Sequence, residues 1–180
     1  MRRRFFLPVI FVIVVGVGFL TSYYIDFIWF QSLEFESVFW RVIRARLTAG
    51  VLFGTLAALL VGSNLWFAAR YTRQALREEG SPWDGEVPGI ELLRSRRGYF
   101  LIGGVLVLIL GNIGAGQWAL WLRWMHAQSF GISDPIFGRD VGFYVFSFPF
   151  WRFVANFLLG GTVVSTLAVG LVYAVAGGIR

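Results

Sequence analysis

The stretch LTAGVLFGTLAALLVGSNLWFAA, Leu47–Ala69, contains no charged side chain. The hydrocarbon core of a bilayer is about 30 Å thick and takes about 20 residues of α-helix to cross. Helices are expected at this length, because unpaired backbone N–H and C=O groups are too costly in lipid for open strands. The stretch therefore predicts a membrane-spanning helix.

Three further runs have the same character. They are Phe5–Tyr24, Tyr99–Leu122 and Phe153–Gly177, and none of them contains an acidic or basic residue. Together with Leu47–Ala69 they predict an all-α membrane protein with four transmembrane helices. We expect residues 1–180 to form a single polytopic membrane domain, in which segments 25–46, 70–98 and 123–152 connect the spans.

The composition also indicates a membrane protein. Hydrophobic residues make up 57% of the chain and charged residues 14%, and the mean hydropathy is +0.69. In soluble domains about a quarter of the residues are charged. The chain has no cysteine and a single histidine, His126, so disulfides, thiolate nucleophiles, Cys-ligated metal sites and histidine clusters are excluded.

The basic residues predict the orientation in the membrane. All 16 are arginines, and the net charge is +6. In a soluble protein this charge would suggest a nucleic-acid partner, but the arginines cluster between the apolar runs, so we expect no nucleic acid. Ten lie on one side of the predicted membrane (Arg2, Arg3, Arg4, Arg70, Arg73, Arg77, Arg94, Arg96, Arg97, Arg180) and six on the other (Arg41, Arg44, Arg46, Arg123, Arg139, Arg152).

Cytoplasmic loops of membrane proteins carry the excess of arginine and lysine. We therefore predict a multi-pass protein of the bacterial cytoplasmic (inner) membrane, with both termini and the loop 70–98 in the cytoplasm. Segments 25–46 and 123–152 are then extracytoplasmic. The cytoplasmic loop is either a connector whose arginines meet lipid phosphates or a protein-docking segment.

The first run needs a separate decision, because Met-Arg-Arg-Arg before an apolar run is also how a secretory signal peptide begins. The residues that follow it, Thr21–Phe27, lack the small-residue pattern of a cleavage site, and three more spans come after them. We therefore expect a retained first transmembrane helix.

The first extracytoplasmic connection, Gln31–Arg46, has helical periodicity with two faces. Apolar residues form one stripe (Phe35, Val38, Phe39, Val42, Ile43), and polar residues form the other (Glu34, Ser37, Arg41, Arg44). Such a segment predicts an interfacial amphipathic helix between the first and second spans. It is either a plain elbow joining two spans or a coupling and docking surface.

Small residues within the spans are spaced as helix-packing faces. The second span has Gly50, Gly54, Ala58 and Gly62, the third has Gly111, Ala115 and Ala119, and the fourth has Thr162, Thr166, Gly170 and Ala174. Such rows let helix backbones approach closely in lipid. Four amides, Asn64, Asn112, Gln117 and Asn156, lie within or near the spans and are able to hydrogen-bond across helices.

Aromatic residues concentrate at the predicted outer boundary. Six of the eight tryptophans lie there, with Tyr144 and several phenylalanines beside them: Trp29, Trp40, Trp118, Trp121, Trp124 and Trp151. Rings of this kind favour the headgroup level, so they predict an aromatic belt. A surface that contacts pigment, lipid or protein is the alternative. We expect His126 to be an interfacial polar residue rather than a haem or chlorophyll ligand.

The segment FGISDPIFGRDVGFYVFSFPFW, Phe130–Trp151, divides into two parts. Ser133-Asp134-Pro135 and Phe137-Gly138-Arg139-Asp140 predict two turns outside the membrane. The aromatic part that follows returns to the interface, with Pro149 suited to the first turn of the fourth helix. Asp134 and Asp140 together are a weak calcium signal, because no third acidic ligand accompanies them. An ion pair of Arg139 with either aspartate is the simpler expectation.

Two stretches, Trp29–Arg46 and Phe130–Trp151, resemble the N-terminal region of a family of large bacterial integral-membrane proteins, uncharacterised protein family 0182. The residues that carry the resemblance in the second stretch are Asp134-Pro135, Phe137, Asp140, Phe143-Tyr144, Phe146 and Pro149-Phe150. The resemblance spans essentially the whole chain and implies N-terminal membrane helices followed by a long extracytoplasmic region. It implies no activity and no functional residues. The chain is then either a portion of a larger protein or a short relative.

These observations favour a non-catalytic role, since no nucleophile, base or metal set is present to place in an enzyme. We expect a structural or accessory subunit that packs against other membrane helices in a larger complex, such as a respiratory or photosynthetic one. We predict that the protein has no cofactor and that it binds lipid. Its expected partners are membrane lipids and other integral-membrane subunits. The alternative is the membrane portion of a larger transporter or exporter, although no ionisable group lies at mid-membrane.

Overall fold

The computed structural model describes residues 3–79 and 95–175, and in this part of the chain the fold is all-helical. The helices are α1 (Arg3–Ser32), α2 (Glu36–Glu79), α3 (Arg96–Gly116), α4 (Trp118–Met125) and α5 (Phe148–Val175). A π-helical turn, Phe143–Ser147, directly precedes α5. These residues contain no strand, only an isolated bridge between Ser133 and Asp140. The prediction of an all-α protein is confirmed.

Three helical stretches among residues 3–79 and 95–175 are long and apolar enough to cross a membrane. They are Glu36–Arg70, Arg97–Gly116 and Phe143–Ala174, and they contain the second, third and fourth predicted spans in whole or in large part. The first predicted span, 5–24, lies in α1, which is not one of the three. Of the cytoplasmic loop predicted over 70–98, residues 80–94 lie outside the described part of the chain, whereas residues 70–79 are the last turns of α2 and not a loop.

A tight turn separates α1 from α2. The N–H of Glu34 donates to the carbonyl of Gln31 at 3.0 Å, and the N–H of Phe35 donates to that of Phe30 at 2.9 Å. Glu34 has a φ of 62°, the left-handed region in which few residues other than glycine are found. The helix α2 begins directly after this turn, and the acidic Glu36 lies in its first turn, where a negative charge is favourable.

The separate amphipathic helix predicted over Gln31–Arg46 is not found. Residues 36–46 are instead the first turns of α2, which runs on to Glu79 without a break. The reason is local, because no proline or glycine occurs between Glu36 and Ala49 to end the helix. Its two faces differ only in part as the periodicity predicts. Phe39 is buried and Arg41 is exposed, but Phe35 and Val38 of the apolar stripe are exposed as well.

The chain divides into two units, Met1–Arg44 and Ala45–Arg180. In the first unit, aromatic rings on both sides of the turn contact one another. The ring of Phe39 lies 5.4 Å from that of Phe27 and 6.0 Å from that of Phe30, and Trp40 lies 6.3 Å from Phe27. Such pairs contribute about 0.5–1.5 kcal/mol each beyond the area they bury, so they hold this helical corner together.

The core of the second unit is built around one stripe of α2. Its members recur every four residues: Ala49, Phe53, Ala57, Val61 and Leu65, all buried. The ring of Phe53 packs at 5.0 Å from that of Phe153 and 4.9 Å from that of Phe157, both in α5. Leu110 of α3 joins the same cluster. Residues four apart share one helix face, so this stripe is the contact surface for α3 and α5.

The third and fourth predicted spans, which correspond to α3 and α5, do not have the predicted limits. α3 ends at Gly116, and a short helix, α4, follows after Gln117. Gly114 and Gly116 weaken the helix there, because glycine has low helix propensity. The helical segment of the fourth predicted span begins with the π-helical turn at Phe143, ten residues before the predicted start at residue 153. Pro149, the second residue of α5, has no N–H and cannot make the usual i→i−4 bond.

Candidate functional site

The loop of residues 126–142 joins α4 to the π-helical turn. The N–H of Asp134 donates to the carbonyl of Arg139 at 2.7 Å, and the N–H of Gly138 donates to that of Asp134 at 2.9 Å. A third bond, from Val141 to Ile132, is 2.9 Å long. Gly138 has a φ of 63°, which a side chain would disfavour. The two predicted turns therefore form a single hairpin-like loop.

Asp140 organises this loop. One carboxylate oxygen accepts from the hydroxyl of Ser129 at 2.5 Å and from the N–H of Gly131 at 3.0 Å. The other accepts from the N–H groups of Phe130 at 3.1 Å and Gly142 at 2.6 Å. The hydrogen bond from Ser129 is the largest cause that lowers the pKa of Asp140 from 3.8 to about 2. Both oxygens are engaged, so this carboxylate stabilises the loop.

Asp134 connects the loop to the π-helical turn. The same carboxylate oxygen accepts from the N–H of Phe137 at 2.8 Å and from the hydroxyl of Tyr144 at 3.2 Å. An aspartate that bonds backbone groups a few residues ahead is typical of a turn. Asp134 therefore serves both the turn and the contact with Tyr144.

Arg139 does not form the expected ion pair. Within the described ranges no salt bridge joins it to Asp134 or Asp140, and both carboxylates accept hydrogen bonds from other groups. Its guanidinium lies instead over the ring of Phe143, 5.1 Å from the centroid. No group of three metal-ligating side chains occurs among residues 3–79 and 95–175.

An aromatic cluster lies beside the loop, where α4 meets α5. The rings of Trp124 and Phe150 are stacked, with centroids 4.5 Å apart and an interplanar angle of 13°. Trp121 lies 5.8 Å from Phe150, and Trp151 lies 5.7 Å from Trp124. Phe150 is buried, whereas Trp151 is exposed. Trp118 lies apart from these rings, under the guanidinium of Arg46 at 5.7 Å.

His126 follows α4 and is exposed. Its Nδ1 lies 2.9 Å from the carbonyl oxygen of Leu122, one turn earlier. The same carbonyl also accepts the backbone N–H of His126 at 3.1 Å, so the imidazole contact lies at the last turn of α4.

Only some of the predicted small-residue faces meet one another in the structure, namely those of α2 and α3. A Cβ at Gly50 would lie 3.2 Å from the Cβ of Ala115, and one at Gly111 would lie 3.3 Å from the Cα of Gly54. The helices α2 and α3 therefore approach closely through these four residues. The other members of the rows lie differently: Ala58, Gly62, Thr166 and Ala174 are exposed, and Gly170 is half-buried.

Several residues of these contacts are not evident from the sequence. Gly114 faces Phe53 so closely that a Cβ there would lie 2.7 Å from the Cγ of Phe53. A Cβ at Gly142 would overlap the carbonyl oxygen of Gln128. Gly114 stands three residues after Gly111, a helical spacing that offers a signal. Nothing in the sequence pattern indicates Gly142 or Ser129.

Two asparagines in the spans lie on outward faces. Asn112 in α3 is exposed, although Leu110 and Gly114 on either side of it are buried. Asn156 in α5 is exposed, and Ser165, nine residues further on, is fully buried. Nine residues make about two and a half helical turns, so Asn156 points away from the core. Neither amide has a hydrogen-bond partner within the described part of the chain.

The comparisons with known proteins agree on one family. The model of the Uncharacterised protein family (UPF0182) matches residues 4–180. A UPF0182 protein of Frankia casuarinae is 36% identical over 188 residues, which cover 99% of this chain and 18% of that relative. A UPF0182 protein of Streptomyces coelicolor is 32% identical, over 97% of this chain and 18% of that relative. A UPF0182 protein of Corynebacterium glutamicum is 33% identical, over 96% of this chain and 17% of that relative.

The chain thus spans less than a fifth of the length of these curated relatives. No solved structure matches it. The family match over nearly all residues, together with the level of identity to the relatives, establishes that the chain belongs to the uncharacterised protein family UPF0182.

Proposed function

We propose that this chain is a non-catalytic helix-docking module, which holds neighbouring membrane helices of a larger assembly against its outward faces. The outward position of Asn112 and Asn156 carries the proposal. An amide without a hydrogen-bond partner costs several kcal/mol in hydrocarbon. A helix that supplies a hydrogen-bonding group removes this cost, whereas lipid tails do not.

Each of these asparagines is followed four residues later by a glycine on the same face. The pairs are Asn112 with Gly116 and Asn156 with Gly160. A Cβ at either glycine would have nothing within 4 Å, so the backbone there is open to close approach. Small residues beside a polar side chain are typical of helix–helix contacts in membranes, where each interhelical hydrogen bond contributes on the order of 1 kcal/mol.

The test is extraction of the protein from its native membrane in mild detergent, followed by native mass spectrometry. The variants are Asn112→Leu and Asn156→Leu, and the expected result is loss of a stoichiometric membrane-protein partner. Asn64→Leu is the matched control, because the Asn64 amide already donates to the Leu60 carbonyl of its own helix at 2.8 Å. Recovery of the unaltered protein as a lone monomer would overturn the proposal.

The topology belongs to the same proposal. The chain crosses the bacterial inner membrane four times, with both termini in the cytoplasm, and α1 provides the first crossing. The length of α1 supports this, since its 30 residues extend for about 45 Å at 1.5 Å per residue. The arginine distribution of ten against six supports the orientation. Membrane lipids and further integral-membrane subunits are the partners of this module.

A further inference from the structure

The loop tip, residues Ile132–Arg139, exposes large apolar side chains. The exposed fraction is 66% for Ile132, 79% for Ile136 and 74% for Phe137. These residues lie outside the three helical stretches that are apolar enough to span a membrane. Three such side chains on one short hairpin-like loop are unusual on a surface that faces only water, and grouped apolar exposure marks a contact surface.

The loop is held against the side of the fourth membrane helix. The ring of Phe130 lies 5.7 Å from that of Phe146, and the Tyr144 hydroxyl donates to Asp134 at 3.2 Å. Both helix residues belong to the π-helical turn, which is the first part of the apolar stretch Phe143–Ala174. The loop therefore lies beside the beginning of this stretch and shares its level in the bilayer.

The charges of the loop fit a phospholipid surface. Both of its carboxylates, on Asp134 and Asp140, accept hydrogen bonds within the loop and its helix. Arg139 is exposed, and so are Arg123 near the end of α4 and Arg152 near the beginning of α5. Segment 123–152 carries these three arginines against two aspartates, a net charge of +1, and guanidinium groups bind phosphate oxygens through paired hydrogen bonds.

We propose that the loop tip inserts into the lipid headgroup region at this end of the bundle. The side chains of Ile132, Ile136 and Phe137 lie at the boundary with the acyl chains, and the Arg139 guanidinium binds lipid phosphate. Interfacial segments of this kind bury their apolar side about 5–10 Å deep. The occupant of this surface is lipid, so the inference goes beyond the helix-docking role and does not depend on it.

Site-directed spin labelling tests the depth of the tip. The 180-residue sequence has no cysteine, so Ile136→Cys or Phe137→Cys introduces one labelling site. The labelled chain is reconstituted in vesicles of phosphatidylcholine and phosphatidylglycerol, and lipids with nitroxides at known depths provide the calibration. We expect both labels to be more accessible to oxygen than to a water-soluble nickel chelate. Labels that favour the nickel chelate would place the tip in water and overturn the inference.

Isoleucine-methyl NMR of the unaltered chain in lipid nanodiscs provides a second measurement that needs no substitution. We expect the methyl signals of Ile132 and Ile136 to broaden more with a headgroup-proximal nitroxide lipid than with a soluble gadolinium chelate. Dominant broadening by the gadolinium chelate would contradict lipid insertion and leave a protein as the occupant of this surface. Since neither readout involves Asn112 or Asn156, failure here is distinguishable from failure of the helix-docking proposal.

Discussion

Asp140 shows how one side chain determines the conformation of a loop. Its carboxylate accepts one hydroxyl bond, from Ser129, and three backbone N–H bonds, from Phe130, Gly131 and Gly142. Hydrogen bonds to the charged form of a carboxyl group lower its pKa. The protonated form would lose much of this bonding, so protonation and loop conformation are linked.

The first prediction concerns this linkage. The pKa of Asp140 is about 2 in the folded protein, against an ordinary value of 3.8. Because the folded value is the lower one, the carboxylate stabilises the loop fully above pH 3.8, and this contribution is lost as the pH falls toward 2. We expect the ¹³C carboxyl signal of Asp140 to titrate near pH 2. In Ser129→Ala the midpoint rises, and a midpoint near 4 in the unaltered protein would contradict the assignment.

The second prediction concerns Ser165. Its side chain is fully buried, with an exposed fraction of 0%, and its hydroxyl has no hydrogen-bond partner in the described part of the chain. A buried unsatisfied polar group costs about 1–3 kcal/mol. We therefore expect Ser165→Ala to raise the free energy of unfolding by about 1 kcal/mol, measured by denaturant titration in detergent micelles.

Thr162→Ala is the control for Ser165→Ala. Thr162 is on the same helix but exposed, and its hydroxyl donates to the Leu158 carbonyl at 2.8 Å. Surface substitutions of this kind change stability by about 0.5 kcal/mol or less. A loss of stability in Ser165→Ala would show that the hydroxyl is bonded after all.

At the scale of helices, the contact between α2 and α3 depends on small residues. Gly50 and Gly54 meet Gly111 and Ala115, and Gly114 leaves room for the Phe53 ring. Lipid supplies no hydrophobic force to bring helices together, so close van der Waals packing takes its place. The position of α3 is therefore sensitive to single methyl groups.

The third prediction tests this sensitivity with Gly114→Ala. The added Cβ would lie 2.7 Å from the Cγ of Phe53, and overpacking a core costs about 1–3 kcal/mol. We expect a loss of stability of this size in detergent unfolding. Gly104→Ala in the same helix is the control, because a Cβ there has nothing within 4 Å. Equal stability of the two variants would contradict the observed contact.

The helix boundaries show how far sequence patterns reach at this scale. The helices of the second, third and fourth predicted spans were predictable, because the length of each apolar run can be read directly from the sequence. The continuity of α2 through Glu36–Arg46 was not recognised, since an amphipathic stretch and an apolar stretch suggest different environments. The backbone hydrogen bonds of a helix form in both kinds of stretch, so the helix continues where no proline or glycine interrupts it.

At the scale of the whole chain, the arginines provide the fourth prediction. Single cysteines are introduced at Gln128 and Ser81 into the cysteine-free sequence. With a membrane-impermeant maleimide on spheroplasts, we expect labelling of Gln128→Cys from outside and of Ser81→Cys only after permeabilisation. The physical reason is the excess of arginine on the cytoplasmic side. The reverse pattern would show an inverted orientation.

The candidate site was predictable only in part. Asp134-Pro135 and Gly138 indicate turns because of their local backbone preferences, and the structure places a turn there. The partners of Asp140 are different, since Ser129 lies 11 residues away and the bond exists only when the loop folds back. The prediction of an ion pair for Arg139 was wrong for the same reason. The direction of the Arg139 side chain depends on the ring of Phe143 and on two carboxylates that already accept hydrogen bonds from other donors.

Hydrophobic length, a property of the chain alone, was enough to predict helices that are long and apolar enough to cross a membrane. The motifs of Phe130–Trp151 were enough to indicate the family UPF0182. Tertiary structure decided which face of each helix is buried. The stripe through Phe53 and Val61 faces the core, whereas the neighbouring Ala58 and Gly62 are exposed. In a helix that is apolar all round, periodicity carries little information about the inward face. That choice depends on how neighbouring side chains fit together.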